Sequence, residues 1–254
     1  MTTPPVAPLP VHGTVPLRAR WEQWMQELVE NPQEVSALTS RYGSPVNVLN
    51  PAPLRHNAQE LLDAGASHDV KTRVFFARKA NKALCFVDAA RESGLGVDVA
   101  SENELRQVLE RDVAPERIIL SAAIKSDGLL RLAISRGVTI SCDSRAECGR
   151  IAAIARALET TARVAPRLAP DPDALPPTRF GERLPAWQKA EWPAELRAVG
   201  VHVHLHGYSE ADRRTALAEA IALVEHLRAL NQPANFIDIG GGVPMSYLES
   251  RDQW

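Results

Sequence analysis

Seven short runs rich in apolar and β-branched residues recur along the chain, at 72–76, 95–99, 117–121, 138–142, 162–168, 200–205 and 236–239. The segments 102–111, 127–136, 144–158 and 210–231 between them are rich in alanine, leucine, glutamate and arginine, which favour amphipathic helix. Strands alternating with helices at this spacing imply parallel βα units with right-handed crossovers. The strand runs are nearly continuous in apolar residues, as expected of strands covered on both faces. Seven consecutive units favour an α/β fold of the (β/α)8 TIM-barrel type over a doubly wound sheet. A dinucleotide-binding sheet needs a glycine fingerprint after its first strand, and ARKANK at 77–82 has none.

A barrel closes with eight strands. The sequence supplies seven, and twelve residues follow Gly242, so the expectation is an incomplete barrel of about seven βα units. Residues 1–18 are expected to form a flexible proline-rich lead. Residues 19–50 are expected to hold an N-terminal helix over Arg20–Tyr42 and a short strand at Val46–Leu49, with the barrel over 51–254. Acidic and basic residues nearly balance, at 31 and 29, so no strong field favours nucleic acid or an anionic membrane. No apolar stretch reaches the roughly 18 residues of a membrane span, and the N-terminus has no secretion-signal core. Cys85, Cys142 and Cys148 make no disulfide framework, which suits a reducing cytosol. The expectation is a cytoplasmic, soluble protein with neither nucleic acid nor membrane as partner.

Lys79 follows the first barrel strand, which places it at the C-terminal mouth where barrel enzymes build their sites. A lysine at a strand end is ordinarily just solvated. A Schiff-base lysine needs a neutral amine, hence a pKa drawn down from about 10.4, and Arg78 and partial burial are expected to press that way. His202, His204 and His206 alternate along the sixth strand, so a two-residue period puts all three on one face. Two uses fit: zinc ligation, or an imidazole face lying against a flat aromatic cofactor. Gly240, Gly241 and Gly242 follow the seventh strand, where bare backbone amides commonly receive phosphate in such barrels. Asp98 and Arg167 end the second and fifth strands and also point to the mouth. Glu104 lies in the first turn of the next helix, where a capping role is as natural as a functional one. Asp143 reads as a helix cap.

Together these segments resemble a known family. FFARKANK resembles the Y-A-V-K-A-N lysine motif of the pyridoxal-phosphate-dependent diaminopimelate, ornithine and arginine decarboxylases, of the alanine-racemase-like fold type. GLGVDVASENEL resembles that family's G-x-G-x-D-V-x-S-x-x-E-L block, and PERIILSAAIKSDGLLRLAISRGV, RVAPRLAP, TRFGERL, GVHVHLHG and IDIGGGVP follow in family order. The likeness covers roughly residues 36–247. It implies an amino-acid carboxy-lyase with pyridoxal 5'-phosphate as cofactor, a basic or diamino acid as substrate, and a homodimer as the full-length form.

Residue by residue, the resemblance implies that Lys79 carries the cofactor. His204 would stack on its ring, and Gly240, Gly241 and Gly242 would hold its phosphate. Asp98, Glu104 and Arg167 would support the lysine and ring. The family's H-x-G-S is here His204-Leu205-His206-Gly207-Tyr208-Ser209, so taking Ser209 as the phosphate serine favours His206 as the stacking residue instead. The family's Glu-Pro-Gly-Arg strand and C-terminal β-domain have no counterpart in the chain, which leads to the expectation of a truncated decarboxylase, inactive alone. Alternatives are a non-catalytic pyridoxal-phosphate carrier, a regulatory pseudoenzyme, a racemase, and a zinc-dependent barrel hydrolase using His202 and His204.

Overall fold

The computed structural model describes residues 18–207, 209–242 and 247–248. The chain separates into two units, residues 1–49 with 243–254, and residues 50–242. The expected flexible lead lies outside the described residues, apart from Arg18.

In the first unit, the single helix expected over Arg20–Tyr42 is two helices, α1 (Gln23–Val29) and α2 (Pro32–Tyr42). Pro32 has no N–H to continue the first helix but suits the opening position of the second. Asn31 caps α2 by accepting from the Glu34 amide at 3.2 Å. Val46–Leu49 is not a strand. Its β-branched residues favour extended backbone, but no neighbouring strand among the described residues pairs with it.

The second unit opens with α3 (Ala52–Ala66) and then alternates. The order is β1 (Phe75–Ala77), α4 (Leu84–Glu92), β2 (Gly96–Val99), α5 (Glu102–Leu109), β3 (Ile118–Leu120), α6 (Asp127–Ser135), β4 (Thr139–Cys142), α7 (Arg145–Ala157) and β5 (Ala162–Leu168). After these come α8 (Leu184–Gln188), β6 (Leu196–Ala198), β7 (Val201–Val203), α9 (Glu210–Ala229) and β8 (Ile237–Asp238). Every strand pairing is parallel. Strands β1 to β5 are neighbours in chain order, followed by β7 and β8, as in an incomplete (β/α)8 barrel. The expected sixth strand is shorter than 200–205, and a piece of it begins earlier. β6 pairs with the first half of β5 (Ala162 with Leu196) and β7 with the second (Arg167 with His202), so the two share one position in the sheet. The break falls at Val199-Gly200, where a Cβ on Gly200 would lie 2.6 Å from the Phe236 ring.

The strands are not apolar on both faces. Val97 and Val99, Ile118 and Leu120, Ile140 and Cys142, Val164 and Leu168, and Val201 and Val203 are buried in one hydrophobic cluster with the helices. The alternate row reads Asp98, Ile119, Thr139 and Ser141, Ala165 and Arg167, His202 and Asp238, and none of these belongs to that cluster. Strand pleating sends successive side chains to opposite faces, so this largely polar row lines the inside of the barrel.

Two repeated clamps hold the loops at the C-terminal ends of the strands. Ser101 and Ser144 each cap a helix by accepting from the amide of a glutamate three residues on, Glu104 at 3.3 Å and Glu147 at 3.1 Å. Each glutamate reaches back to the amide four residues before it, Ala100 and Asp143 respectively, both at 2.8 Å. Each also binds a lysine 22 residues earlier, from the preceding strand's loop: Lys82 to Glu104, and Lys125 to Glu147. The clamps differ in burial. The Lys82 side chain is 62% exposed and that of Lys125 is 0% exposed. Removing one partner of a buried pair strands a charge, whereas screening limits an exposed one. Glu147→Gln is therefore expected to lower unfolding free energy by about 3 kcal/mol, and Glu104→Gln by about 1 kcal/mol or less, in urea titrations. Equal losses would contradict the difference in burial.

Candidate active site

The site is built where the inner row meets the loops after the strands. Lys79 lies exposed in the turn that follows β1. Arg78, expected to crowd its amine, turns elsewhere and is buried. Its guanidinium donates to the Lys82 and Ala83 carbonyls at 2.7 and 3.2 Å and to Gln107 Oε1 at 2.6 Å. The expected partial burial of Lys79 is likewise not found. The Lys79 charge acts on both Asp98 and His204, which puts the three groups at one mouth.

Asp98 sits beside Ala77 in the β1–β2 ladder. Burial raises its carboxyl to about 6 against the pull of the Ser121 hydroxyl, with Asp238 adding to the rise and Lys79 opposing it. Its Oδ1 is buried without a hydrogen-bond partner among the described residues. A buried acceptor left open in this way is a place for a ligand donor.

Arg167, His202 and Asp238 lie side by side across β5, β7 and β8. The Arg167 guanidinium binds Asp143 Oδ1 at 3.2 Å and lies 4.6 Å over the Phe180 ring. His202 is buried and shares a 2.6 Å hydrogen bond with Ser141 Oγ. Burial pushes the His202 imidazole down to about 4, with Arg167 and His204 acting the same way and Asp238 and Asp143 opposing. It is therefore a neutral ring at neutral pH.

The three histidines do not share a face. β7 ends at Val203, so the alternation stops there, and His206 is exposed in the following bend. His202 and His204 meet edge to face with centroids 6.4 Å apart. His204 Nδ1 accepts from the Gly241 amide at 3.3 Å, which leaves the neutral ring's proton on Nε2. Burial, then Lys79 and Arg167, lowers the His204 pKa. The glycine loop and this ring are fitted to each other: a Cβ on Gly240 would run into the imidazole, and its φ of +69° suits glycine. Asp238 Oδ1 fixes the loop's start by accepting from the Gly240 amide at 2.8 Å. Arg213 fixes the rest, donating to the Gly241 and Gly242 carbonyls at 3.0 and 2.8 Å.

The two other sequence candidates have local duties. Ser209 caps α9 by accepting from the Asp212 amide at 3.2 Å, and Glu104 is engaged with Ala100 and Lys82. Among the described residues, no group of three or more histidine, cysteine or acidic side chains is placed to hold a metal ion. Sequence reasoning missed Ser141, Asp238 and Arg213, and gave Asp143 only a cap. Extending the two-residue phase of the inner row past β4 would have found Asp143, and reading that phase within 236–239 would have found Asp238. Nothing in the local sequence marks Arg213.

The chain is similar to known proteins in sequence and in fold. The family described as "Pyridoxal-dependent decarboxylase, pyridoxal binding domain" matches residues 55–254. The uncharacterized protein y4yA of Sinorhizobium fredii is 29% identical over 214 residues, covering 83% of this chain and 46% of that protein. The diaminopimelate decarboxylase of Zymomonas mobilis is 28% identical over 235 residues, covering 85% of this chain and 55% of that enzyme. Among solved structures, AQ1208 from Aquifex aeolicus superposes with a TM-score of 0.68 at 25% identity, over 82% of this chain and 51% of that one. Diaminopimelate decarboxylase from M. jannaschii shares the fold, with a TM-score of 0.72 at 24% identity, over 85% of this chain and 55% of that one. The chain thus spans about half the length of the relatives it matches.

The perturbed groups of the site have opposite pH signatures. Asp98 holds its proton more tightly folded than unfolded, so its contribution is full below about 4 and lost as pH rises through 6. His202 holds its proton less tightly when folded, so its contribution is full above 6.5 and lost as pH falls towards 4. Between these limits the two oppose each other. Asp98→Asn is expected to raise unfolding free energy at pH 8 by about 2 kcal/mol and to expose a steeper loss from pH 6.5 to 4. Urea unfolding at three pH values checks this, and a variant less stable at pH 8 would contradict it.

Proposed function

The chain belongs to the pyridoxal-dependent decarboxylases through their pyridoxal-binding domain, and from that premise we propose that it serves a carboxy-lyase acting on a basic or diamino acid, with Lys79 holding the cofactor. The observation that carries the proposal is the convergence at one mouth of an exposed lysine, a buried carboxylate oxygen lacking a donor, a neutral imidazole and a glycine loop fitted to that imidazole.

The residues present suit pyridoxal phosphate on the chemistry of the donor set. The Lys79 amine would bind its aldehyde carbon, and the His204 ring would lie against the pyridine. The loop of Gly240, Gly241 and Gly242 would receive the phosphate beside the Ser209-capped start of α9, the Gly240 and Gly241 amides being held by Asp238 and His204 and the Gly242 amide being the one offered. Arg167 and Asp98 would flank the ring, and Asp143 and Phe180 would hold the guanidinium in place. When bound, the cofactor supplies an electron sink for the pair left as carbon dioxide departs. The protein's share is orientation and proton management. Asp98, with its carboxyl near 6, is mostly ionised at neutral pH, and its open Oδ1 can accept from a donor in the mouth. His202 and His204 stay neutral, so they add no positive charge against Lys79.

The choice of a basic or diamino substrate rests on the diaminopimelate decarboxylases among the relatives. The unit from about residue 51 is proposed as the cofactor-binding part of a protein that works as a cytoplasmic homodimer in its full-length form.

Borohydride reduction after incubation with pyridoxal phosphate, followed by peptide mapping, is expected to find the label on Lys79, with Lys79→Ala reducing uptake to background. Adding diaminopimelate, ornithine or lysine is expected to change the bound cofactor's absorbance at lower concentration than leucine or aspartate does. Label spread over surface lysines and unchanged in Lys79→Ala would overturn the site. An equal response to all five amino acids would overturn the substrate class.

A further inference from the structure

Arginine is out of place at the start of a helix, where the exposed amides favour acidic side chains. Helix α9 opens accordingly with Glu210 and Asp212, yet Arg213 follows at once. Its side chain is half-buried and donates to the carbonyls of Gly241 and Gly242. Of the other arginines around the mouth, Arg167, Arg145 and Arg150 are paired with Asp143, Glu182 and Asp127, and the buried Arg78 is spent on the Lys82 and Ala83 carbonyls and Gln107. Among the described residues Arg213 has no carboxylate partner, so its charge remains uncompensated.

We propose that Arg213 is the residue that reads the cofactor's phosphate, by aiming the glycine loop and by supplying a positive charge that no carboxylate among the described residues pairs. The reasoning rests on the proposed cofactor site. In a trans peptide the carbonyl and the following N–H point in opposite directions. Holding the Gly241 carbonyl against Arg213 therefore turns the Gly242 amide away from the helix. A Cβ on Gly241 would meet no atom of the described residues within 4 Å. The Arg213 charge also reaches His204, where it disfavours protonation. Loop, imidazole and guanidinium thus form one group in which Arg213 supplies the positive charge, and a charge-assisted contact from it to an anion is among the stronger hydrogen bonds.

The test separates phosphate recognition from general support of the site. Wild type, Arg213→Ala, Arg213→Lys and Arg214→Ala are titrated with pyridoxal phosphate and with pyridoxal, which lacks the phosphate, following cofactor absorbance. Arg214 is exposed, in the same turn, and without a contact to the loop among the described residues, so it controls for loss of one positive charge from the helix. Arg213→Ala is expected to weaken pyridoxal phosphate binding by about tenfold or more while pyridoxal binding stays within about twofold, which also shows that the variant is folded. Arg213→Lys should recover part of the loss, and Arg214→Ala should match wild type. Inorganic phosphate should compete with the cofactor on wild type and less well on Arg213→Ala. Equal weakening towards both ligands, or no weakening, would overturn the proposal alone. A wild-type chain that takes up no pyridoxal phosphate would overturn the site and the proposal with it.

Discussion

Burial of the outward row of the parallel sheet beneath the helices is the constraint on which the rest depends, because it fixes the phase of every strand. Val97, Val99, Ile118, Leu120, Ile140, Val164, Val201 and Val203 are all fully or almost fully buried. A fully buried Val, Leu or Ile side chain is worth about 1.5–3 kcal/mol, so shifting a strand by one residue would expose several such side chains at once. With the outer row fixed, Asp98, Ser141, Arg167, His202 and Asp238 have only the inner face to occupy. Polar chemistry is concentrated there because the apolar row is held elsewhere.

The mouth is then secured by short-range devices rather than by depth. Serine caps begin α5, α6, α7 and α9, and the two lysine–glutamate clamps tie neighbouring loops together. The clamp on Glu147 also fixes the Asp143 amide, and Asp143 in turn binds Arg167. A buried ion pair therefore connects the helix α7 start to a guanidinium of the site through a single residue. Such pairs contribute modestly to stability but define geometry where they are fully satisfied.

The barrel and its βα order are legible in the sequence because the outer row alone gives each strand an apolar run. What is lost is the phase. Runs such as GVDV and TISC pass as continuous apolar strands when their polar members are read as strand ends, although both alternate. Leu196–Ala198 is missed because its middle residue is an exposed arginine and it pairs with only half of β5. Val46–Leu49 misleads in the other direction, since β-propensity cannot supply a partner strand. The candidate site residues Lys79, Asp98, Arg167 and His204 rest on motif and position. The destinations of Arg78 and Arg213 do not, because they depend on groups 29 and 28 or 29 residues away.

In the proposed function one mouth, with Lys79 on one side and the glycine loop on the other, receives a single phosphorylated cofactor. The most direct measurement is a crystal structure of the chain grown with pyridoxal phosphate. Continuous density is expected from Lys79 Nζ to a ring lying against His204, with the phosphate at Gly240, Gly241 and Gly242. A cofactor joined to another lysine, or a phosphate bound away from the glycine loop, would contradict it.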